Sequence, residues 1–271
     1  MPKLSVIMGV YNVENRMMLE KAVNSILNQT FSDFDFIICN DGSNDETLKY
    51  IVELAKKDNR IKILSNEKNF GLAYSLNRCI EYSNSEYIAR MDADDISKED
   101  RLEKEIKFLD ENDSYAVVAC NANLIDENDK VWGKRNNPEI IKRKDFLFNS
   151  PVIHPTVIMR KGALKDVNYY RVSKETRRTE DYDLWMRLYA KGYKIYTIQE
   201  YLYYFREDEQ CLKRRKYKYR IDEAKVRYNG YKKLKLLPVG YIYVLKPLIV
   251  GLLPHKLIKI LRNKHKKENM L

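Results

Sequence analysis

The chain has 271 residues, of which 44% are hydrophobic and 11% aromatic. That composition supports a sizeable core and excludes a disordered or low-complexity chain. Its net charge of +11 is uneven: from Tyr201 to Leu271 there are 19 Lys and Arg against 6 Asp and Glu, so a near-neutral body carries a basic tail suited to an anionic surface, either lipid headgroups or nucleic acid.

Leu4, Val6, Ile7 and Met8 form a short apolar run ended by Gly9, the pattern of a buried strand. Leu19, Ala22, Val23, Ile26 and Leu27 recur at helical spacing. Phe34 to Cys39 reads as a second strand, stopped by Asn40, Asp41 and Gly42. Ser43 and Glu46 predict a capping box and a helix running to about Lys57. Ile61 to Leu64 is a third strand. Gly71 opens a helix carrying Leu72, Leu76, Cys79 and Ile80, and Tyr87 to Met91 is a fourth strand. This alternation implies an α/β fold whose largely parallel sheet is flanked by helices. Ligands of such sheets bind at the carboxyl ends of the strands, where Tyr11, Asn12, Asp41, Asn69, Asp92 and Asp94 fall.

Beyond about residue 115 the alternation weakens. Ala116 to Ala119 reads as a short strand, and His154-Pro155 stands isolated between Asn149 and Met159. An amphipathic helix begins near Glu180 and carries Leu184, Trp185 and Leu188. Two strand-like runs follow, Tyr193 to Ile198 and Leu202 to Phe205, and from Lys213 the chain reads as basic helix. The cysteines, Cys39, Cys79, Cys120 and Cys211, show no CxxC spacing. That argues against a zinc site and for buried thiols in a reducing compartment. The amino terminus shows no secretory signal, so a cytosolic chain is expected.

The nine glycines never lie closer than ten positions, so neither a GxGxxG nor a Walker A loop exists. If the protein binds a nucleotide diphosphate, the phosphates must be neutralised by other means, and a divalent metal held by carboxylates is the direct route. Asp92-Ala93-Asp94-Asp95 follows the fourth strand directly. Strand alternation lets Asp92 and Asp94 face one way, and their hard oxygens suit Mg²⁺ or Mn²⁺. The plainer reading of these aspartates is a polar turn before a helix starting near Ser97.

Five segments, in order, resemble glycosyltransferase family 2. They are Ser5 to Asn12, Asn40-Asp41-Gly42-Ser43, Asn69-Phe70-Gly71-Leu72-Ala73, Asp92-Ala93-Asp94-Asp95, and Glu180-Asp181-Tyr182-Asp183-Leu184-Trp185. The resemblance covers roughly residues 3 to 205 and implies a GT-A fold. It divides the chain into a catalytic domain over 1–210, with a nucleotide-binding half (1–115) and an acceptor half (116–210), and a helical basic tail over 211–271. It also implies that Val10 and Tyr11 line the base pocket with Glu14 near the nucleoside, that Asp41 accepts a hydrogen bond from the base, and that Asp92 lies near the ribose while Asp94, with Asp92, binds the metal. Asn69 joins the nucleotide-sugar residues. Asp181 would be the general base of an inverting displacement by an acceptor hydroxyl, with Glu180 beside it. One departure is visible: Gly9 stands where the family usually has proline.

Other residues keep two readings. Acids such as Glu180 and Asp181 in a first helical turn also stabilise the macrodipole. Arg90 either faces the diphosphate or pairs with a core carboxylate. His154 is either structural or near the diphosphate or the metal, and Trp185 packs either on the core or on an acceptor sugar. In the tail, the apolar stretch Leu236 to Pro254 is too short and interrupted to span a bilayer. His255 to Lys267 then alternates apolar and basic residues. Together they read as an interfacial anchor on the inner face of a cell membrane, suited to a saccharide or lipid-linked acceptor in surface polysaccharide synthesis. Two other readings compete: a metal-dependent nucleotidyltransferase, and a nucleic-acid-binding protein whose footprint is Lys213 to Arg220.

Overall fold

Residues 1–207 and 217–253 are described by the computed structural model. Cys211, Lys213 to Lys216 and the basic segment from His255 to Lys267 lie outside the described residues. In chain order the elements are β1 (Leu4–Val10), α1 (Arg16–Leu27), β2 (Phe34–Asn40), α2 (Thr47–Ala55), β3 (Ile61–Ser65), α3 (Leu72–Tyr82), β4 (Tyr87–Arg90), β5 (Ile96–Ser97), α4 (Arg101–Glu111), β6 (Tyr115–Ile125) and β7 (Val131–Arg135), followed by β8 (Ile158–Arg160), α5 (Lys161–Asp166), α6 (Glu180–Ala190), β9 (Lys194–Arg206), α7 (Tyr217–Lys233) and α8 (Tyr241–Leu252).

Among the described residues the strands form one sheet in the order β3-β2-β1-β4-β8-β6-β9-β5, with β7 paired to β6. The first half of the sheet is parallel throughout: β1 runs with β2 and β4, and β2 with β3. The second half mixes directions, since β8 is antiparallel to β4 and β6 while β6 and β9 run parallel. The two short strands expected after residue 190 are one continuous strand, β9, whose pairing with β6 shifts register near Cys120 and Asn121. That irregularity sits where apolar alternation breaks, so the sequence shows it as a gap.

Strand alternation sends side chains to two cores. Leu4, Val6 and Met8 of β1 pack with Leu19, Ala22, Val23 and Ile26 of α1 on one face. Ile7 packs with Leu76, Cys79 and Ile80 of α3 on the other. Trp185, Met186 and Leu188 of α6 join this second core, and so do Val226, Tyr231 and Leu234 from α7 and its end. The helix α7 is therefore built into the same core as the sheet. Cys39, Cys79 and Cys120 are buried free thiols.

The helix after Asp41 begins later than Ser43 and Glu46 suggest. No side chain caps it at Glu46, and α2 starts at Thr47, whose N–H donates to Asp45 Oδ1 at 2.9 Å. Ser43 is spent elsewhere, accepting the Asn12 N–H at 3.0 Å. Likewise the helix expected near Ser97 starts at Arg101, because Ile96 and Ser97 pair with β9 first.

Candidate active site

The carboxyl ends of β1, β2 and β4 converge. Val10 is buried and Tyr11 is 47% exposed. Asn12 takes a positive φ of 44°, a conformation that Asn tolerates better than most residues. Its side chain exchanges hydrogen bonds with Asn44, at 2.8 Å and 3.1 Å, so the loops after β1 and β2 are stapled together. Gly9 has its own reason to lack a side chain: a Cβ there would meet Leu72 Cδ1 at 2.9 Å.

Asp41 is buried, and it organises the neighbouring loop. Its Oδ1 accepts from Asn66 Nδ2 at 2.7 Å and from the Phe70 N–H at 3.0 Å, and its Oδ2 accepts from the Gly71 N–H at 2.8 Å. One carboxylate thus fixes the Asn69 loop and the start of α3. Oδ2 still has room for a second donor.

The acidic run after β4 forms a cluster. One carboxylate oxygen from each of Asp92, Asp94 and Asp95 lies within 4.8 Å of the others. Buried Arg90 forms an ion pair with Asp92, and Tyr203 Oη accepts the Asp92 N–H at 3.3 Å. Asp95, which sequence reasoning did not single out as a ligand, is buried. It accepts the Arg206 N–H at 2.7 Å, and its second oxygen has no partner. Asp94 opens to water at the mouth of a concave cleft. Burial within that cleft, followed by the charge of Asp92, pushes its carboxyl up to about 6. Burial, followed by Asp94 and Asp92, raises Asp95 as well. A raised proton affinity in a carboxylate cluster is a raised affinity for positive charge. The three oxygen donors, one of them orphaned, fit a hard divalent cation. A cavity of about 760 Å³ is lined by Val10, Tyr11, Glu14, Asp92 and Asp94, together with Glu127 and Arg206, which come from distant segments and carry no motif.

Glu180 and Asp181 open α6. Ser150 donates to Asp181 Oδ2 at 3.2 Å. Burial, followed by the charge of Asp181, pushes Glu180 up to about 7, and burial raises Asp181. A cavity of about 510 Å³ at this turn is lined by both acids, by Arg135, Ser150 and Arg178, and by Tyr219 and Arg227 of α7. A third cavity, of about 600 Å³, is lined by Asn69 to Ala73 and meets the second at Arg178, Glu180 and Tyr219. Neither shares a lining residue with the Asp92–Asp94 cleft. The link is Arg90, whose buried charge lowers the proton affinity of Asp94, Glu180 and Asp181 alike.

Two candidates stand behind this surface. Trp185 is fully buried in the core and offers no face to an acceptor. His154 Nε2 pairs with Tyr170 Oη at 2.8 Å, and its ring lies edge-on to Trp185. Burial, with the charge of Arg90 added, holds the imidazole neutral by lowering its pKa well below 6.5. It has no hydrogen bond to any of the three aspartates, and its ring packs against Tyr170 and Trp185.

A sheet of this order, with an acidic cluster at the β4 end, is that of a GT-A nucleotide-sugar enzyme. The model of glycosyl transferase family 2 matches residues 5–167, and the chain belongs to that family. It is a glycosyltransferase, which sets aside the nucleotidyltransfer and nucleic-acid readings. Among curated relatives it is similar to EpsE of Bacillus subtilis, 39% identical over 270 residues, covering 99% of this chain and 95% of EpsE. It is also similar to WfgD of Escherichia coli, a UDP-Glc:alpha-D-GlcNAc-diphosphoundecaprenol beta-1,3-glucosyltransferase, 28% identical over 263 residues, covering 93% of this chain and 94% of WfgD. Among solved structures, S. aureus TarS in complex with UDP-GlcNAc superposes with a TM-score of 0.68 at 23% identity, covering 92% of this chain and 71% of TarS 1-349. That likeness establishes the fold.

Proposed function

We propose that the chain transfers a sugar, with inversion, from a UDP-sugar to a hydroxyl of a saccharide carried on a lipid, in the synthesis of a surface polysaccharide. The observation that carries this reading is the cluster of Asp92, Asp94 and Asp95, with carboxylate oxygens within 4.8 Å of one another, beside a cleft that Val10, Tyr11, Glu14, Asp92 and Asp94 line. The similarity to a UDP-glucose transferase acting on a lipid-linked sugar supports the substrate class.

The nucleoside lies against Val10 and Tyr11, with Glu14 at the ribose side and Asp41 Oδ2 accepting from the base. Asp92 and Asp94, with Asp95 beside them, would hold Mn²⁺ or Mg²⁺, which would supply positive charge to the departing diphosphate. Asp181 accepts the proton of the acceptor hydroxyl as its oxygen bonds to the anomeric carbon. The bond to the departing nucleoside diphosphate breaks on the opposite side, so the anomeric centre inverts. A positioned base of this kind contributes on the order of 10²–10⁴-fold. Release of free nucleoside diphosphate across a panel of nucleotide sugars, with Mn²⁺ and with EDTA, tests the proposal. UDP release that depends on the metal is expected; full activity in EDTA removes the role given to Asp92 and Asp94. The same reading places the enzyme on the inner face of the cell membrane, held by its basic tail.

A further inference from the structure

Arg206 lines the Asp92–Asp94 cleft although it stands 112 residues along the chain from Asp94. It is the last residue of β9 and lies beside Ile125 of β6 in the parallel ladder. β5 pairs with Tyr203 and Tyr204 of β9, so the acidic run just before β5 meets the end of β9. One residue can then hold two of the three aspartates. The Arg206 N–H donates to Asp95 Oδ1 at 2.7 Å, and its Nε donates to the Asp94 carbonyl at 2.7 Å.

The rest of the guanidinium is anchored on the turn between β6 and β7. Nη1 donates to the Asp126 carbonyl and Nη2 to Asp129 Oδ1. That turn is closed by Asp126 Oδ1, which accepts the N–H groups of Asn128 and Lys130, each at 2.9 Å. Lys21 of α1 pairs with Asp129 as well. Each nitrogen of the guanidinium is engaged and the side chain is 5% exposed. Arg206 is thus a fixed strut, and its planar fork is what lets it reach three acceptors at once.

Charge gives it no other use here. A cation beside three carboxylates opposes the binding of a second cation, so by charge alone Arg206 would weaken a metal site. The ion pair with Asp129 offsets that charge, which leaves geometry as its contribution. We infer that Arg206 is the positioning residue of the acidic cluster: anchored by Asp129, it fixes the Asp94 backbone and the Asp95 carboxylate, so that oxygens of Asp92, Asp94 and Asp95 stay close enough to share one cation. The inference rests on the metal reading above.

The experiment is titration of the full chain with Mn²⁺ alone, followed by the paramagnetic resonance signal of free Mn²⁺, with UDP affinity in EDTA measured beside it. Arg206→Lys keeps the charge and loses the fork; Arg206→Gln loses both. Each should weaken Mn²⁺ by about 10–100-fold, the usual cost of losing a group that orients metal ligands, while UDP affinity in EDTA stays within about threefold. The pair separates geometry from charge, because loss of a repelling cation by itself would tighten Mn²⁺ in Arg206→Gln. Asp129→Asn removes the anchor at a partly exposed residue that does not line the cleft, and it carries the test if the Arg206 variants do not fold. It should weaken Mn²⁺ by about two- to fivefold, and the loss should persist at about 0.5 M KCl, where an unpaired charge is screened. Unchanged or tighter Mn²⁺ binding in the Arg206 variants, or a loss in Asp129→Asn that salt abolishes, overturns the inference. So does an equal loss of Mn²⁺ and UDP affinity, which marks a general loosening of the fold. A parent protein that binds no Mn²⁺ ends the metal reading itself and this inference with it, so the two failures are read from different samples.

Discussion

The base role proposed for Asp181 depends on a proton affinity that the fold sets. A base must be ionised to accept the acceptor proton, and burial raises both Asp181 and its neighbour Glu180, the latter to about 7. Arg135, Arg90 and Ser150 oppose that rise without cancelling it. Because the folded carboxyl holds its proton to higher pH than a free one, activity should climb over a pH range above that in which a free aspartate ionises. A kcat profile already flat from pH 5 upward would contradict this. Asp181→Asn should lower kcat by about 10²–10⁴-fold while UDP binding, followed by fluorescence or calorimetry, stays within a factor of about two. Gly42 is the other residue whose role is local. It sits at a φ of 67°, with the Lys68 backbone 2.3 Å from where a Cβ would be. Gly42→Ala should therefore unseat Asp41 and cost donor affinity together with about 1–3 kcal/mol of stability. An unchanged melting temperature and UDP affinity would show that the loop accommodates a side chain.

Among the elements, α7 is the one whose position decides most. Arg227 is buried and donates to Phe148 and Leu147 carbonyls as well as to Glu223, and Tyr231 Oη donates to the Leu147 carbonyl at 3.0 Å. Gly230 lets this helix lie on α6, since a Cβ there would sit 2.1 Å from Met186 Sδ. Gly230→Val should push the two helices apart at a cost of about 1–3 kcal/mol, read as a lowered denaturation midpoint. The same packing predicts that a chain ended at residue 210 folds poorly, because Val226, Tyr231 and Leu234 leave the core with it. A cooperative unfolding transition from that truncation, at full-length stability, would show the tail to be dispensable.

For the whole molecule, charge and apolar exposure fall on the same end of the chain. Tyr241, Ile242, Leu245, Ile249 and Leu252 of α8 are exposed, Ile242 at 74%. Pro247 lies inside this helix, and no helix among the described residues is long and apolar enough to cross a membrane. Apolar side chains with neighbouring cations suit the surface of an anionic bilayer. Ile242→Glu with Leu245→Glu should lower partitioning onto phosphatidylglycerol vesicles by at least about tenfold, given roughly 1.5–3 kcal/mol for burying each side chain. Equal co-sedimentation of the variant and the parent would exclude α8 as the contact.

What the sequence determined by itself was local. Runs such as Val6 to Met8 and Phe36 to Ile38 carry strand signals because a strand buried on both faces is apolar at every position. The polar residues that follow each run had to fall at strand ends, so Tyr11, Asp41, Asp92 and Asp94 could be named from order alone. The acid pair opening α6 was legible as the start of an amphipathic helix, and the family resemblance alone suggested its role. Only the tertiary structure decided what those groups face. Arg206, Glu127, Arg135 and Tyr219 reach the clefts from segments without a motif, and Ser43, which reads as a helix cap, is drawn off to Asn12 by a loop 31 residues away. His154 and Trp185 share chemistry with ligand-binding residues, yet the core encloses Trp185, and His154 pairs with Tyr170. Periodicity and capping act over a few residues of chain, whereas a cleft is assembled across gaps of a hundred, and burial, pairing and proton affinity exist only once those gaps have closed.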